Sequence, residues 1–515
     1  MKKFYILVFF SVFCAPHFFA NYMLIQNVTT VGDNPGAKTI KVQFDISWQN
    51  SWRDAINWDA AWLFIKYKDG AGNWGHAHIS SNGFNNGSGT ANTLNVTDDN
   101  VGAFLYRSGL GSGNFTCTGM QLQWDYGQNG LSSVSGLELQ VFAIETVYIP
   151  GGEYNLCKKL NGGSTETLNG YSNTEDTEIY LYAPGDNHPV INSRLTPTLT
   201  YKNEQHSDIK DTIRIKGDLG IDTDNDGVVD NTSYPTGYQP FYVFKYELTE
   251  QQYADFYNTL SPAQQSNISV VGNYITLVNG KYVSSRPNSA CKTGIYSADE
   301  SVFFSYADWC GLRPMSYLEF QKSIWGNEKI DYNDGVFASN TNSGLPTNTM
   351  TYPILDEWAV GYYDNLANGE ETMLTYSSSN EYKFYFTTRF YSNWYTNMTR
   401  SSEIYPIRPG IVATSTSTRE DAISSFYGVM DYTGNLFEPF VNLHYYDFLA
   451  TNGDGLLDAS GNSNIANWTQ QSDILSYADI RVFKQFTEYY TAKNADIRSG
   501  YTFGPMGIRL CRSAP

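Results

Sequence analysis

The stretch at residues 428–438 constrains the fold most, because a tight turn interrupts an apolar run there. It reads Gly-Val-Met-Asp-Tyr-Thr-Gly-Asn-Leu-Phe-Glu, in which residues 433–435 are turn formers. Asp431 and Glu438 place a carboxylate on either side of the turn. Carboxylates and turn carbonyls form an oxygen-rich loop of the kind that calcium prefers. The spacing equally permits a strand, a turn and a second strand with solvated acids.

The chain begins like an exported protein. Met1 and two lysines precede an apolar run over residues 4–13, and small residues follow at Ala15 and Ala20. Charge, apolar run and small residues in this order predict a signal peptide over residues 1–20. Cys14 leaves a lipoprotein open, although the large residue before it fits that motif poorly. No apolar run is long enough to span a bilayer, so we expect no transmembrane segment.

Charge and composition narrow the class of partner. The chain has 515 residues, which leaves room for two or three domains after the signal peptide. Its formal net charge of -19 argues against a nucleic-acid partner, because phosphate binding needs a basic face. The aromatic content of 16% includes 40 Tyr and 11 Trp. Most of these rings belong to a core, but a surplus at a surface would grip a protein or a glycan.

The region from residue 21 to residue 139 is predicted to be a β-sandwich-like module. Residues 39–48 alternate apolar and polar side chains, which is the pattern of a strand with one buried face. Residues 61–67 form a denser apolar run that a turn follows. His76 and His78 would share one face of a strand and could bind a metal, but a solvated strand face is the favoured interpretation.

An aspartate-rich loop is the second candidate for calcium. Asp at positions one, three, five and nine, Gly227 at six and a carbonyl at seven reproduce most of a calcium loop. Ser233 replaces the glutamate at position twelve, which favours a structural site over a sensor. The predicted ligands are Asp222, Asp224, Asp226, Val228 and Asp230. The alternative is an acidic solvated loop. Residues 452–458 contain a shorter version of the same aspartate and glycine pattern, and a solvated turn is the favoured interpretation there.

Two helix starts carry the same capping signal. Thr249 precedes Gln252 by three residues, and Ser316 precedes Glu319 by three, so each pair predicts a capping box. The first helix would bury one face, made of Tyr253, Phe256, Tyr257 and Leu260.

Several stretches, in the same order, resemble the formylglycine-generating enzyme family, also called sulfatase-modifying-factor domains. Residues 141–152 resemble its "fvyIPGGtF", and residues 241–260 resemble "kyEvTqgqYadFlN". Residues 311–326 resemble "GkRLPTeaEWEkAaRG", residues 428–438 resemble "GxxDxxGNvWEW", and residues 507–515 resemble "GFRcvRtAP". The resemblance implies an α+β fold class, with a C-type-lectin-like domain over residues 140–515 and a β-rich insertion at residues 160–238. The N-terminal module resembles those that precede this domain in secreted Bacteroidota proteins.

The resemblance does not carry the family's chemistry with it. Those enzymes oxidise a sulfatase cysteine with molecular oxygen and a copper ion held by two cysteines near the C-terminus. The corresponding residues 481–507 contain no cysteine here, and residues 483–485 replace a Gly-Gly-Ser turn. Copper(I) needs soft thiolate ligands, so we expect no copper site and assign no catalytic residue. The related iron enzymes need a histidine cluster, which His188, His206 and His444 do not form by spacing.

The family's structural features map onto named positions. Its calcium site would be formed by Asp431, the carbonyls of Gly434 and Leu436, and Glu438. A cysteine bridge of some members would join Cys310 to Cys511. The mature chain has five cysteines, an odd number in a compartment that permits disulfides.

The expected function is that of a non-catalytic scaffold that binds a protein or glycan and is stabilised by calcium. It would act at the cell surface, at the periplasmic face of the outer membrane or outside a Gram-negative cell. An oxidase with displaced cysteines is one alternative. A structural component of a Bacteroidota secretion or gliding apparatus is the other.

Overall fold

The computed structural model describes the chain in several segments. The longer ones are residues 23–155, 231–272, 274–293, 300–326, 424–432 and 448–469. The shorter ones are residues 190–191, 201–202, 209–210, 409–410, 436, 438–441, 475–478, 483–485, 488–490 and 506–515. Every structural statement below concerns these residues.

The N-terminal part consists of antiparallel strands. They are β1 (Leu24–Asn34), β2 (Thr39–Arg53), β3 (Asp59–Lys68), β4 (Trp74–His76), β5 (Ile79–Asn85), β6 (Ser88–Gly89), β7 (Asn92–Val96), β8 (Ala103–Arg107), β9 (Gly111–Asp125) and β10 (Glu138–Ile149). A five-stranded sheet has the order β1-β2-β9-β5, with β6 paired to β9. The strand predicted at residues 39–48 is confirmed, since every apolar position of that stretch is buried and every polar one is partly exposed.

The remaining elements are shorter. The strands are β11 (Tyr154–Asn155), β12 (Val190–Ile191), β13 (Tyr201–Lys202), β14 (Ile209–Lys210), β15 (Phe241–Phe244), β16 (Ile275–Val278), β17 (Lys281–Ser284), β18 (Glu438–Val441), β19 (Leu475–Ala478), β20 (Phe483–Gln485), β21 (Glu488–Tyr490) and β22 (Cys511–Ser513). The helices are α1 (Glu250–Tyr257), α2 (Pro262–Gln265), α3 (Glu300–Trp309), α4 (Tyr317–Trp325) and α5 (Ala466–Thr469). The described residues are therefore rich in sheet with few helices, as the α+β class predicts.

A second sheet joins the beginning and the end of the chain. It has seven strands in the order β22-β15-β10-β3-β8-β7, with β4 paired to β3. Strand β10 is antiparallel to β3 over Glu138 to Val147 and to β15 over Thr146 to Ile149. The predicted boundary between residues 139 and 140 thus falls inside β10. One continuous strand belongs to both predicted domains.

Strand β3 is buried on both faces, which explains its unbroken apolar sequence. Ala61, Leu63 and Ile65 contribute to the core that lies against the five-stranded sheet. Trp62 and Phe64 point the other way, into the core that contains the helices. The seven-stranded sheet is therefore the middle of three layers.

Both predicted helix starts are confirmed. Thr249 caps α1 and Ser316 caps α4, and each forms a complete capping box with the side chain three residues later. The four residues of the predicted apolar face are buried, although α1 ends at Tyr257 and Leu260 follows it. The caps therefore mark where each helix begins.

Candidate functional site

The carboxylate of Glu438 is held by an arginine from the C-terminal segment. Glu438 is the first residue of β18 and is buried. Its Oε1 accepts a hydrogen bond from Nε of Arg509 at 2.5 Å. The same guanidinium donates to the main-chain oxygens of Phe244, Lys245 and Met430 at 2.9, 3.1 and 2.7 Å. Arg509 therefore joins three separate segments around the turn.

Asp431 lies close to this pair. Its backbone is left-handed, with a φ of 60°, a conformation that Asp tolerates better than most residues. Its Oδ2 accepts a hydrogen bond from the Gly410 backbone at 2.5 Å. Burial raises the pKa of Glu438 to about 7; Arg509 opposes this shift and the charge of Asp431 adds to it. The two predicted calcium-binding carboxylates are thus near enough to repel one another.

The turn between them is partly described. The backbone N–H of Leu436 donates to Glu247 Oε1 at 3.0 Å. Gly434 lies outside the described residues. Two mutually repelling carboxylates suit a divalent cation, although Glu438 would share its carboxylate with Arg509. Among the described residues, no three His, Cys, Asp or Glu side chains are grouped as metal ligands.

The other metal candidates have different outcomes. The predicted ligands Asp222, Asp224, Asp226, Val228 and Asp230 lie outside the described residues. The solvated face favoured for the two histidines is wrong for His76, which is only 5% exposed. Its Nε2 lies 2.6 Å from the Val101 carbonyl and its ring stacks on Phe64. Burial, which disfavours the charged form, holds the pKa of His76 well below its usual value.

The cysteines are separate, buried thiols in the described part of the chain. These are Cys117, Cys291, Cys310 and Cys511. The bridge expected from the resemblance is not formed in this structure. Cys310 Sγ donates to the Ala307 carbonyl at 3.4 Å, whereas Cys511 Sγ lies 3.0 Å from Nη1 of Arg313. Burial raises the pKa of the Cys117 thiol to about 11 and that of the Cys511 thiol well above its usual value.

A buried lysine–glutamate pair lies next to the Arg509 site. Lys245, the residue after β15, donates to Glu145 Oε1 of β10 at 2.8 Å, and both side chains are almost fully buried. Sequence reasoning did not predict this pair. Glu145 is a single acid inside an apolar strand, and that isolation was the available signal.

Asp308 organises the loop at residues 452–464, a role that the sequence did not reveal. Its carboxylate accepts hydrogen bonds from the backbone of Asp454 and Asn464 and from the Ser463 hydroxyl. The loop in turn covers Lys66, whose Nζ donates to the Gly455 carbonyl at 2.5 Å. Burial lowers the pKa of Lys66 to about 7 and raises the pKa of Asp308 to about 6.

The aromatic surplus is used mainly for packing. Trp58 stacks on Tyr148 at 4.0 Å, and the Arg53 guanidinium lies 4.3 Å from the Trp58 ring. Among the exposed large apolar side chains of the described segments, Phe84 is the one aromatic residue.

None of the helices in the described segments is both long and apolar enough to cross a membrane. Comparisons with models of protein families, with curated proteins and with solved structures find no match to this chain.

Proposed function

We propose that this chain is an exported, non-catalytic binding or scaffold protein built on a domain of the formylglycine-generating enzyme type. It would bind a protein or a glycan at the cell surface, at the periplasmic face of the outer membrane or outside the cell. Calcium would stabilise the turn at residues 428–438. The observation that carries the proposal is the separation and burial of the thiols.

Copper chemistry of the family's kind needs two thiolates at one site. The described cysteines each have different neighbours, and burial favours their protonated forms. Residues 481–507, where the family's two cysteines would lie, contain none. The soft ligands would have to come from elsewhere, which favours binding over oxidation as the function.

The motif stretches contact one another, which supports the proposed domain type. Arg509 joins the C-terminal stretch to Glu438 of the turn. Arg313 pairs with Glu319 at 2.6 Å and also contacts Cys511, so the stretch at residues 311–326 meets the C-terminal stretch too. The similar residues thus perform structural work in the core, and the loops would bind the partner.

Calcium is proposed to stabilise the fold and to take no part in a reaction. A cation between Asp431 and Glu438 would relieve their repulsion, and oxygen ligands in a turn suit calcium. Its expected effect is a higher unfolding temperature of purified protein in calcium than in chelator. Magnesium is the matched control, because it demands a smaller, more regular site. Equal unfolding temperatures in calcium, magnesium and chelator would contradict the role.

The test of the whole proposal is anaerobic copper(I) titration of residues 21–515 with a competing chelator, alongside counting of reactive thiols. We expect no tight copper site and few reactive thiols in the native state. A tight site that is lost on mutating two cysteines together, with oxidation of a sulfatase peptide, would overturn the proposal. With no copper site, glycan arrays and pull-downs in calcium would identify the partner class.

A further inference from the structure

The hairpin formed by β16 and β17 exposes apolar side chains on one of its strands. Leu277 and Val278 of β16 are 59% and 47% exposed. Asn279 and Gly280 join the two strands in a tight turn, with φ values of 51° and 80° that suit a two-residue hairpin. Among the described residues, β17 is the only strand that pairs with β16. The other edge of β16 is therefore open in this part of the chain.

The opposite edge of the hairpin is occupied by side chains of α1 and of the residue after it. Asn258, directly after α1, donates from Nδ2 to the Tyr282 carbonyl and accepts from the Tyr282 N–H, both at 2.8 Å. The N–H of Ser284 donates to Gln251 Oε1 of α1 at 3.4 Å. The main-chain groups of Tyr282 and the N–H of Ser284 thus point away from β16.

These contacts fix the direction of the main-chain groups on the open edge. Leu277 lies directly opposite Tyr282, and Ile275 lies directly opposite Ser284. In an antiparallel pair, two opposite residues turn their N–H and C=O groups either toward each other or both away. The N–H and C=O groups of Leu277 and Ile275 therefore point outward from β16. Their spacing of two residues is the one at which a further strand would be bonded.

The sequence of this open edge is complementary to itself. A second copy of β16 that runs antiparallel about Thr276 places Ile275 of each copy opposite Leu277 of the other, so every outward-facing residue of β16 exchanges hydrogen bonds. Thr276 then lies opposite its own copy, in the pair whose side chains approach most closely. β16 has no charged residue, so no like charges meet at the junction despite the net charge of -19. Lys281 is on β17, and its two copies would be about 20 Å apart, beyond the range of strong repulsion at physiological salt.

We infer that two copies of this chain associate through their β16 edges, antiparallel about Thr276, and form one continuous four-stranded sheet. The partner strand would cover part of the exposed Leu277 side chain. Because the paired edge is only four residues long, the dimer is expected to be weak and reversible. The inference goes beyond the proposed binding function and does not rest on it.

Sedimentation equilibrium of residues 21–515 measures the association. We expect a monomer–dimer equilibrium at protein concentrations up to about 100 μM, since small interfaces are weak. Leu277→Pro removes the outward N–H and leaves the hydrogen bonds of the hairpin intact, so it should weaken dimerisation at least about tenfold. The matched control is Leu277→Val, which keeps that N–H and should still dimerise. Both variants should unfold close to the wild-type temperature, because Leu277 is exposed.

Charged substitutions at Thr276 test the register of the pairing. Thr276→Lys and Thr276→Glu should each be monomeric at low salt, because each new charge would lie opposite its own copy. An equal mixture of the two variants should form a heterodimer, which native mass spectrometry identifies by its mass.

Three results would overturn the inference. One is a wild-type protein that stays monomeric, whether or not β16 pairs with a strand of another protein. The others are a dimer that Leu277→Pro leaves intact and charged variants that do not associate when mixed. Each of these results leaves the proposed binding function standing.

Discussion

Arg509 and Glu438 form a buried ion pair that joins the C-terminal segment to the turn at residues 428–438, with Nε and Oε1 2.5 Å apart. Both side chains are at most 2% exposed. The terminal nitrogens of Arg509 also donate, to the main-chain oxygens of Phe244, Lys245 and Met430. One side chain thus connects the seven-stranded sheet to the turn at residues 428–438.

Breaking this pair should be far more costly than breaking an exposed one. Arg509→Met leaves the Glu438 carboxylate buried without its cation, for which we expect a loss of about 3–5 kcal/mol in the free energy of unfolding. The matched control is the pair of Lys68 and Glu138, which are 38% and 56% exposed. Glu138→Gln should cost about 0–1 kcal/mol. Urea unfolding followed by tryptophan fluorescence measures both, and similar losses would contradict the assigned burial.

The pH dependence of stability should report on Glu438. Its pKa is about 7 in the folded protein against 4.5 for an ordinary glutamate. Between these values the folded state binds the proton more than the unfolded state does, so stability falls as pH rises from about 5 to 7. Glu438→Gln keeps an oxygen acceptor for Arg509 and should remove this fall. The measurement is the urea midpoint against pH in chelator, and parallel profiles would contradict the prediction.

The sequence predicted local structure better than long-range pairing. The alternation at residues 39–48 and the two capping boxes depend on neighbours in the chain, and both were confirmed. The partner of Glu438 is 71 residues away, and no periodicity encodes that distance. The boundary placed after residue 139 fell inside β10 because an apolar strand looks the same whether its sheet belongs to one domain or two.

Lys66 should make the protein more stable at alkaline pH. Burial lowers its pKa to about 7 against 10.5 for an ordinary lysine, although Cys310, Asp308 and Asp454 oppose the shift. Between these values the unfolded state holds the proton and the folded state does not, so stability rises with pH. The slope is up to about 1.4 kcal/mol per pH unit. Lys66→Met should flatten the profile between pH 7 and 10, whereas Lys68→Met, at a partly exposed position, should not.

Removing the N-cap should cost more free energy of unfolding in a buried helix than in an exposed one. Thr249→Ala removes the cap of α1, whose helix packs in the core, and should cost about 1 kcal/mol. Ser261 forms the same capping box on α2, but that helix has four residues and none is buried. Ser261→Ala should therefore cost less. Equal losses in chemical unfolding would mean that packing of α1 does not depend on its cap.

Position 455, beside the buried Lys66, should tolerate only glycine, because a side chain there would collide with His76. Its φ is +85°, and an added Cβ would lie 2.0 Å from Nδ1 of His76, which is itself held by the Val101 carbonyl. Gly136 has a φ of +80° with no atom near its added Cβ, so Gly136→Ala measures the backbone cost alone. That cost should be about 1–2 kcal/mol. Gly455→Ala should lose more, because the loop must move away from His76 and withdraw the carbonyl that accepts from Lys66. Equal unfolding midpoints for the two variants would show that the loop at residues 452–464 yields without cost, and that Asp308 does not fix its position.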